Sequence, residues 1–142
     1  MFIYSKKLQY PVKIDKPNPR LASVIISQYG GPDGELGASL RYLSLRFSMP
    51  FDEQKGLLTD IGTEELGHLE MVGAIVHQLT RDLKDSQIQD SAFAPYFVDH
   101  TTGVYPTFAS GTPWTAATMQ VKGDPIADLT EDLAAEETFN YR

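Results

Sequence analysis

The chain has no cysteine among its 142 residues. That excludes a disulfide framework, a thiol nucleophile, a zinc ribbon and a thiolate-held iron–sulfur cluster. Basic residues are scarce: 12 Lys and Arg stand against 19 Asp and Glu, a formal charge of −7. Phosphate backbones would be repelled, so nucleic acid is not expected as a partner. No apolar run approaches the ~18 residues of a membrane span, so no membrane partner is expected. The first residues carry Lys6, Lys7 and Lys13 without an apolar stretch, so no signal peptide is expected. HExxH, GxSxG, P-loop and GxGxxG patterns are missing. Gly30-Gly31-Pro32-Asp33-Gly34 is glycine-rich, but it lies between helical patterns with no strand before it, which argues against a phosphate loop.

What remains is an ordinary globular composition, 42% hydrophobic and 22% charged, sized for a single domain over residues 1–142. Residues 1–20 read as an extended arm, because Pro11, Pro17 and Pro19 push the residues before them out of helix. Arg20 to Tyr29 is predicted helical, with Leu21, Val24 and Ile25 on one side. A second helical pattern runs from Glu35 to about Phe47. Asp52 is placed to cap a third, over 53–82, which would be roughly 45 Å long at about 1.5 Å per residue. A helix of that length needs long partners, so the spacing predicts an all-α bundle. Residues 83–123 read as one long apolar loop, rich in aromatics between Phe93 and Trp114; loops of this kind are usually functional or interfacial. Asp124-Pro125 then opens a last helix.

The stripes that should face the core hold acids. In the third pattern Leu58, Ile61, Glu65, His68, Val72, Ile75 and Leu79 follow a 3-4-3-4 spacing. Glu65 and His68 sit in its middle on nearly one face. In the last helix Ile126, Leu129 and Leu133 are followed by Glu136. In the second, Glu35 opens the face of Ala38, Tyr42, Leu45 and Met49. Buried carboxylates are costly unless paired or bound to metal. A common metal site would satisfy Glu35, Glu65, His68 and Glu136 together, with iron or manganese equally suited to the donors. The competing reading is a rotated stripe whose acids pair with Arg41 or Arg46. Glu64 and Glu70 lie off the stripe and read as solvated. His77 reads as a surface residue, and His100 falls in the loop. Tyr42 faces the site two turns from Glu35, where its hydroxyl would need a partner.

The stretches KKLQYPV at 6–12, NPRLA at 18–22, QYGGPDGELGASLRYL at 28–43, LLTDIGTEELGHLEMV at 57–72 and KGDPIADLTEDLAAEE at 122–137 cover nearly the whole chain. In that order the sequence resembles the manganese catalase family, most closely its short spore-coat branch. The resemblance implies a ferritin-like four-helix-bundle core with two manganese ions, and dismutation of hydrogen peroxide to water and oxygen. It assigns Glu35, Glu65, His68 and Glu136 as ligands, Glu65 bridging both ions. Tyr42 would be hydrogen-bonded beside them, so Glu65 and Tyr42 are the candidate catalytic residues. In the family a fourth helix with a second Glu-x-x-His follows. This sequence ends at Arg142, and TFNYR at 138–142 departs from the family pattern. The expectation is a bundle whose fourth helix is absent from this chain, leaving an apolar trough to be filled by further residues or another copy. The alternative function is a structural coat or shell subunit with a degenerate site; a ferritin-like iron oxidase is a third class. Expected partners are hydrogen peroxide, further copies in a homo-oligomer and other coat proteins, in the spore coat or the cytoplasm.

Overall fold

The computed structural model describes residues 3–30, 34–96 and 121–140. Residues 3–18 form the expected arm, without regular structure. Helix α1 (Pro19–Ile25) starts where the Asn18 side chain accepts the Leu21 N–H at 3.0 Å, with Pro19 in the first turn. A single 3-10 turn, Ile26–Gln28, ends it. Its inner face differs from the expected one. Ala22 and Ile26 are buried, while Leu21 and Val24 are exposed. These two residues are one turn apart, and the small Ala22 lets α1 lie close against its neighbour.

Helix α2 (Glu35–Leu45) begins after Gly34. A Cβ there would lie 3.0 Å from the backbone N and O of Gly30, so the close approach needs glycine. That approach sets Glu35 at the first turn. Helix α3 (Asp52–Thr80) has 29 residues and is about 43 Å long. Asp52 does not cap it: Phe51 holds the cap position, and Asp52 is the first helical residue, paired with Lys55 at 2.8 Å. Asp82, in the left-handed region at φ 61°, follows the helix end.

Helices α2 and α3 pack at a close crossing. The Ser39 hydroxyl donates to the Gly62 carbonyl at 2.6 Å in a buried position. A Cβ on Gly62 would lie 2.9 Å from Cγ of Leu43. Apolar packing forms two groups along α3. One holds Ala22, Ile26, Val72, Val76, Leu79, Ile88 and Phe93. The other holds Tyr42, Leu45, Met49 and Leu58, with Leu129 against it. Glu65 and His68 fall between Leu58 and Val72, at the gap between the two groups.

The expected loop over 83–123 is not featureless. Helix α4 (Asp85–Gln89) and a 3-10 turn, Ala94–Tyr96, interrupt it, and Ile88 and Phe93 dock into the first apolar group. Elements this short carry too few residues to show a period. Phe97, His100, Tyr105, Phe108 and Trp114, with the expected subunit contact, lie outside the described residues. Phe93→Ala should cost about 3–5 kcal/mol in chemical denaturation, because it removes the largest side chain of that group.

Helix α5 (Pro125–Asn140) is capped as expected: Asp124 Oδ1 accepts the N–H groups of Ile126 and Ala127 at 3.0 and 2.9 Å. Its inward face is rotated from the predicted stripe. Ile126 and Leu133 are 80% and 69% exposed. Asp128 and Asp132 are buried instead, and Leu129 is half-buried. Asp128 accepts the N–H groups of Lys122 and Gly123 at 2.9 and 2.8 Å, which fastens the approach to α5. Among the described residues every regular element is helical, and no helix is long and apolar enough to cross a membrane.

Candidate metal centre

Glu35 opens α2, and Glu65 and His68 project from the middle of α3. Together they offer ligand atoms within 4.8 Å of one another, a group that could hold a metal ion. His68 Nδ1 lies 2.8 Å from Glu65 Oε2 and 3.8 Å from Glu35 Oε2. Glu65 is only 6% exposed, and its two neighbours are half-buried. Burial, followed by the hydrogen bond and charge of Glu65 and the charge of Glu136, pushes the Glu35 carboxyl up to about 8. In the metal-free chain near neutral pH, Glu35 therefore keeps its proton, hydrogen-bonded to Glu65. A divalent cation would relieve the same crowding of negative charge. Two carboxylates and one imidazole suit manganese or iron in that role.

Glu136 stands outside this 4.8 Å group, and its side chain is exposed. It reaches the site through Tyr42, whose hydroxyl donates to Glu136 Oε1. Tyr42 is buried. Burial first, then the hydrogen bond to Glu136 and the charges of Glu136, Asp132 and Glu65, raise the phenol above its ordinary value. The hydroxyl thus holds its proton and acts as a donor.

The stripe pattern missed several groups. Arg41, only 6% exposed, points its Nη1 at Glu131 Oε1, 3.6 Å away. Asp132 feels the charge of the same guanidinium, and neither of its oxygens has a hydrogen-bond partner among the described residues. Burial pushes its carboxyl up to about 6, with Arg41 pulling the other way. The competing reading pairs the stripe acids Glu35, Glu65 and Glu136 with Arg41 or Arg46; the acid beside Arg41 is instead Glu131, which lies outside that stripe. Arg46 instead stacks over the Phe47 ring at 5.2 Å. Asp128, Asp132 and Glu136 recur every four residues along one face of α5, but that spacing does not say which face turns inward. Glu64 is exposed as expected and Glu70 is half-buried, and both carry a partner from the N-terminal arm. Glu64 accepts from the Gln9 amide at 2.7 Å, and Glu70 from the Tyr4 hydroxyl. His77 is exposed as expected.

Comparison with known proteins adds the following. The profile of the family described as manganese containing catalase matches residues 1–140. The chain is 53% identical over 137 residues to Protein CotJC of Bacillus subtilis, covering 96% of this chain and 72% of that protein. It is 34% identical to a probable manganese catalase of Clostridium acetobutylicum, covering 96% of this chain and 62% of that one. The crystal structure of KatB, a manganese catalase from Anabaena, superposes with a TM-score of 0.84 at 33% identity, covering 97% of this chain. The chain spans 62% of the KatB chain. The helical architecture is therefore the ferritin-like one expected from the sequence.

Proposed function

This chain belongs to the manganese-containing catalase family, and on that footing we propose that it dismutates hydrogen peroxide to water and oxygen at a manganese site. The observation that carries the proposal is the convergence of Glu35, Glu65 and His68 at the gap between the two apolar groups. In this reading Glu35, Glu65 and His68 would hold manganese, with Glu136 as a further carboxylate ligand beside them. Bound manganese supplies the two-electron redox chemistry that moves electrons from one peroxide molecule to another.

The chain's own residues supply geometry and protons. The close crossing at Gly62 fixes the separation of Glu35 from Glu65. The carboxyl pair of Glu35 and Glu65 holds a proton until a cation replaces it. Tyr42 keeps its hydroxyl proton and uses it to orient Glu136 Oε1. Glu65 and Tyr42 are thus the proposed catalytic residues. The resemblance to the spore-coat branch supports a place in the spore coat or cytoplasm, in a homo-oligomer with other coat proteins as neighbours.

The test is oxygen release from peroxide by the manganese-loaded chain, with metal content measured on the same sample. A linked prediction concerns protons. Below about pH 8 metal uptake must displace the Glu35 proton, so filling the ion position that Glu35 serves should release about one proton, and Mn2+ affinity there should rise about tenfold per pH unit. A pH-stat titration with Mn2+ between pH 6 and 8 reads this directly; uptake without proton release would contradict it.

A further inference from the structure

His68 turns Nδ1 toward Glu65 and Glu35. Its outer nitrogen, Nε2, faces Glu64, whose Oε1 lies 4.0 Å away. The same oxygen accepts the Gln9 amide at 2.7 Å. One carboxylate oxygen thus stands between an amide from the N-terminal arm and the outer edge of the imidazole. A carboxylate oxygen has two lone-pair directions; Gln9 takes one, and the other is left for an imidazole N–H.

The arm is not free to take Gln9 elsewhere. Along α3 the Tyr4 hydroxyl donates to Glu70. Farther along, Gln78 Nε2 donates to the Val12 carbonyl at 3.0 Å, and Gln78 Oε1 accepts the Ile14 N–H at 2.7 Å. Arg81 donates to the Ile14 carbonyl at 2.6 Å. The Asn18 N–H donates to the Leu79 carbonyl at 2.7 Å. At Gln9 itself the fit is tight: a Cβ on Gly67 would lie 3.2 Å from Gln9 Oε1.

We propose that Gln9 and Glu64 are positioning residues for His68, the arm holding Glu64 where it accepts the imidazole Nε2–H and so presents Nδ1 to a metal ion. The proposal rests on the manganese reading of the site. A histidine that gives one nitrogen to a metal donates the proton on the other, usually to a carboxylate or carbonyl, and losing that partner weakens metal binding about 10–100-fold. The rotation needed to shorten 4.0 Å to a hydrogen bond is within reach of a half-exposed Glu side chain.

The experiment is Mn2+ binding to the full chain, read from the spectroscopic signal of the free ion, with melting of each metal-free variant alongside. Gln9→Ala leaves the charge unchanged and should weaken Mn2+ binding about tenfold, with melting close to wild type. Gln9→Glu separates positioning from bulk electrostatics. Added negative charge alone would tighten cation binding; a repelled Glu64 would weaken it, and weakening is expected. The swap Gln9→Glu/Glu64→Gln keeps the wild-type net charge and restores an amide–carboxylate pair with an acceptor toward His68, so it should recover affinity. Wild-type affinity in Gln9→Ala, tighter binding in Gln9→Glu, or a swap no better than Gln9→Glu would each overturn the inference while leaving the proposed function standing. No Mn2+ uptake by the wild-type chain would overturn both.

Discussion

Glu65→Gln is expected to abolish manganese uptake at this site and to leave the metal-free chain at least as stable near pH 7. Glu65 is the most deeply buried of the three converging donors. Its hydrogen bond and charge, after burial, are what hold the Glu35 carboxyl up to about 8. An amide keeps the shape and a contact for His68 Nδ1, but it removes the anion. The effect on the metal should be a loss of at least about a hundredfold in Mn2+ affinity, above the usual cost of losing an outer-shell partner. The effect on the empty chain has the opposite sign, because a buried anion is replaced by a neutral amide. A gain of up to about 1 kcal/mol corresponds to less than one pKa unit of interaction. Melting with and without Mn2+ separates the two outcomes: wild type should be stabilised by the ion and the variant should not.

The same groups make the metal-free protein depend on pH in a direction opposite to that of most salt-bridged domains. Glu35 rises from 4.5 to about 8 on folding, and Asp132 from 3.8 to about 6. A carboxyl raised on folding contributes stability that is whole below its unfolded value and lost as pH climbs through its folded value. The empty chain should therefore be more stable near pH 5 than near pH 8, and Mn2+ should flatten that slope by replacing the Glu35 proton.

Arg41→Met is expected to lose about as much stability as Phe93→Ala, for an electrostatic reason. Arg41 is buried beside Asp132, whose oxygens have no hydrogen-bond partner among the described residues, and near Glu131 at 3.6 Å. Removing the guanidinium leaves Asp132 as a buried charge without compensation, a change that costs about 3–5 kcal/mol. That is a large share of the stability of a typical domain. Two features identify the cause. Asp132→Asn in the same chain should recover much of the loss, because no charge is then left behind. Acidification toward pH 5 should recover it as well, because Asp132 then takes a proton. Denaturation of the single and double variants at pH 5 and pH 8 measures both; equal losses at the two pH values would assign the effect to packing.

The sequence made α2, α3 and the start of α5 legible because their signals are local. Glu35 follows a glycine that a close approach requires, Glu65 and His68 are three residues apart in a long period, and Asp124-Pro125 is a cap with its first turn. The rotation of α1 and α5 was not legible. In α5 the apolar residues Ile126 and Leu133 form a plausible stripe, yet the inner face belongs to Asp128 and Asp132. Only the position of Arg41 on another helix explains that choice, and a one-dimensional pattern does not contain it. Glu64 was hidden for a related reason: its partner Gln9 is 55 residues away in the chain. The short elements around Ile88 and Phe93 are set by docking onto α1 and α3 rather than by any period of their own.

The proposed role of Glu35, Glu65 and His68 is to hold manganese for peroxide dismutation. It is tested most directly by oxygen evolution from hydrogen peroxide per bound manganese, in the wild-type chain and in Glu65→Gln, after both are loaded with Mn2+ and freed of excess ion. One O2 is expected for every two peroxide molecules consumed by wild type, with neither retained manganese nor oxygen from the variant. Equal oxygen release from the two proteins, or none from a wild-type chain that has kept its manganese, would contradict it.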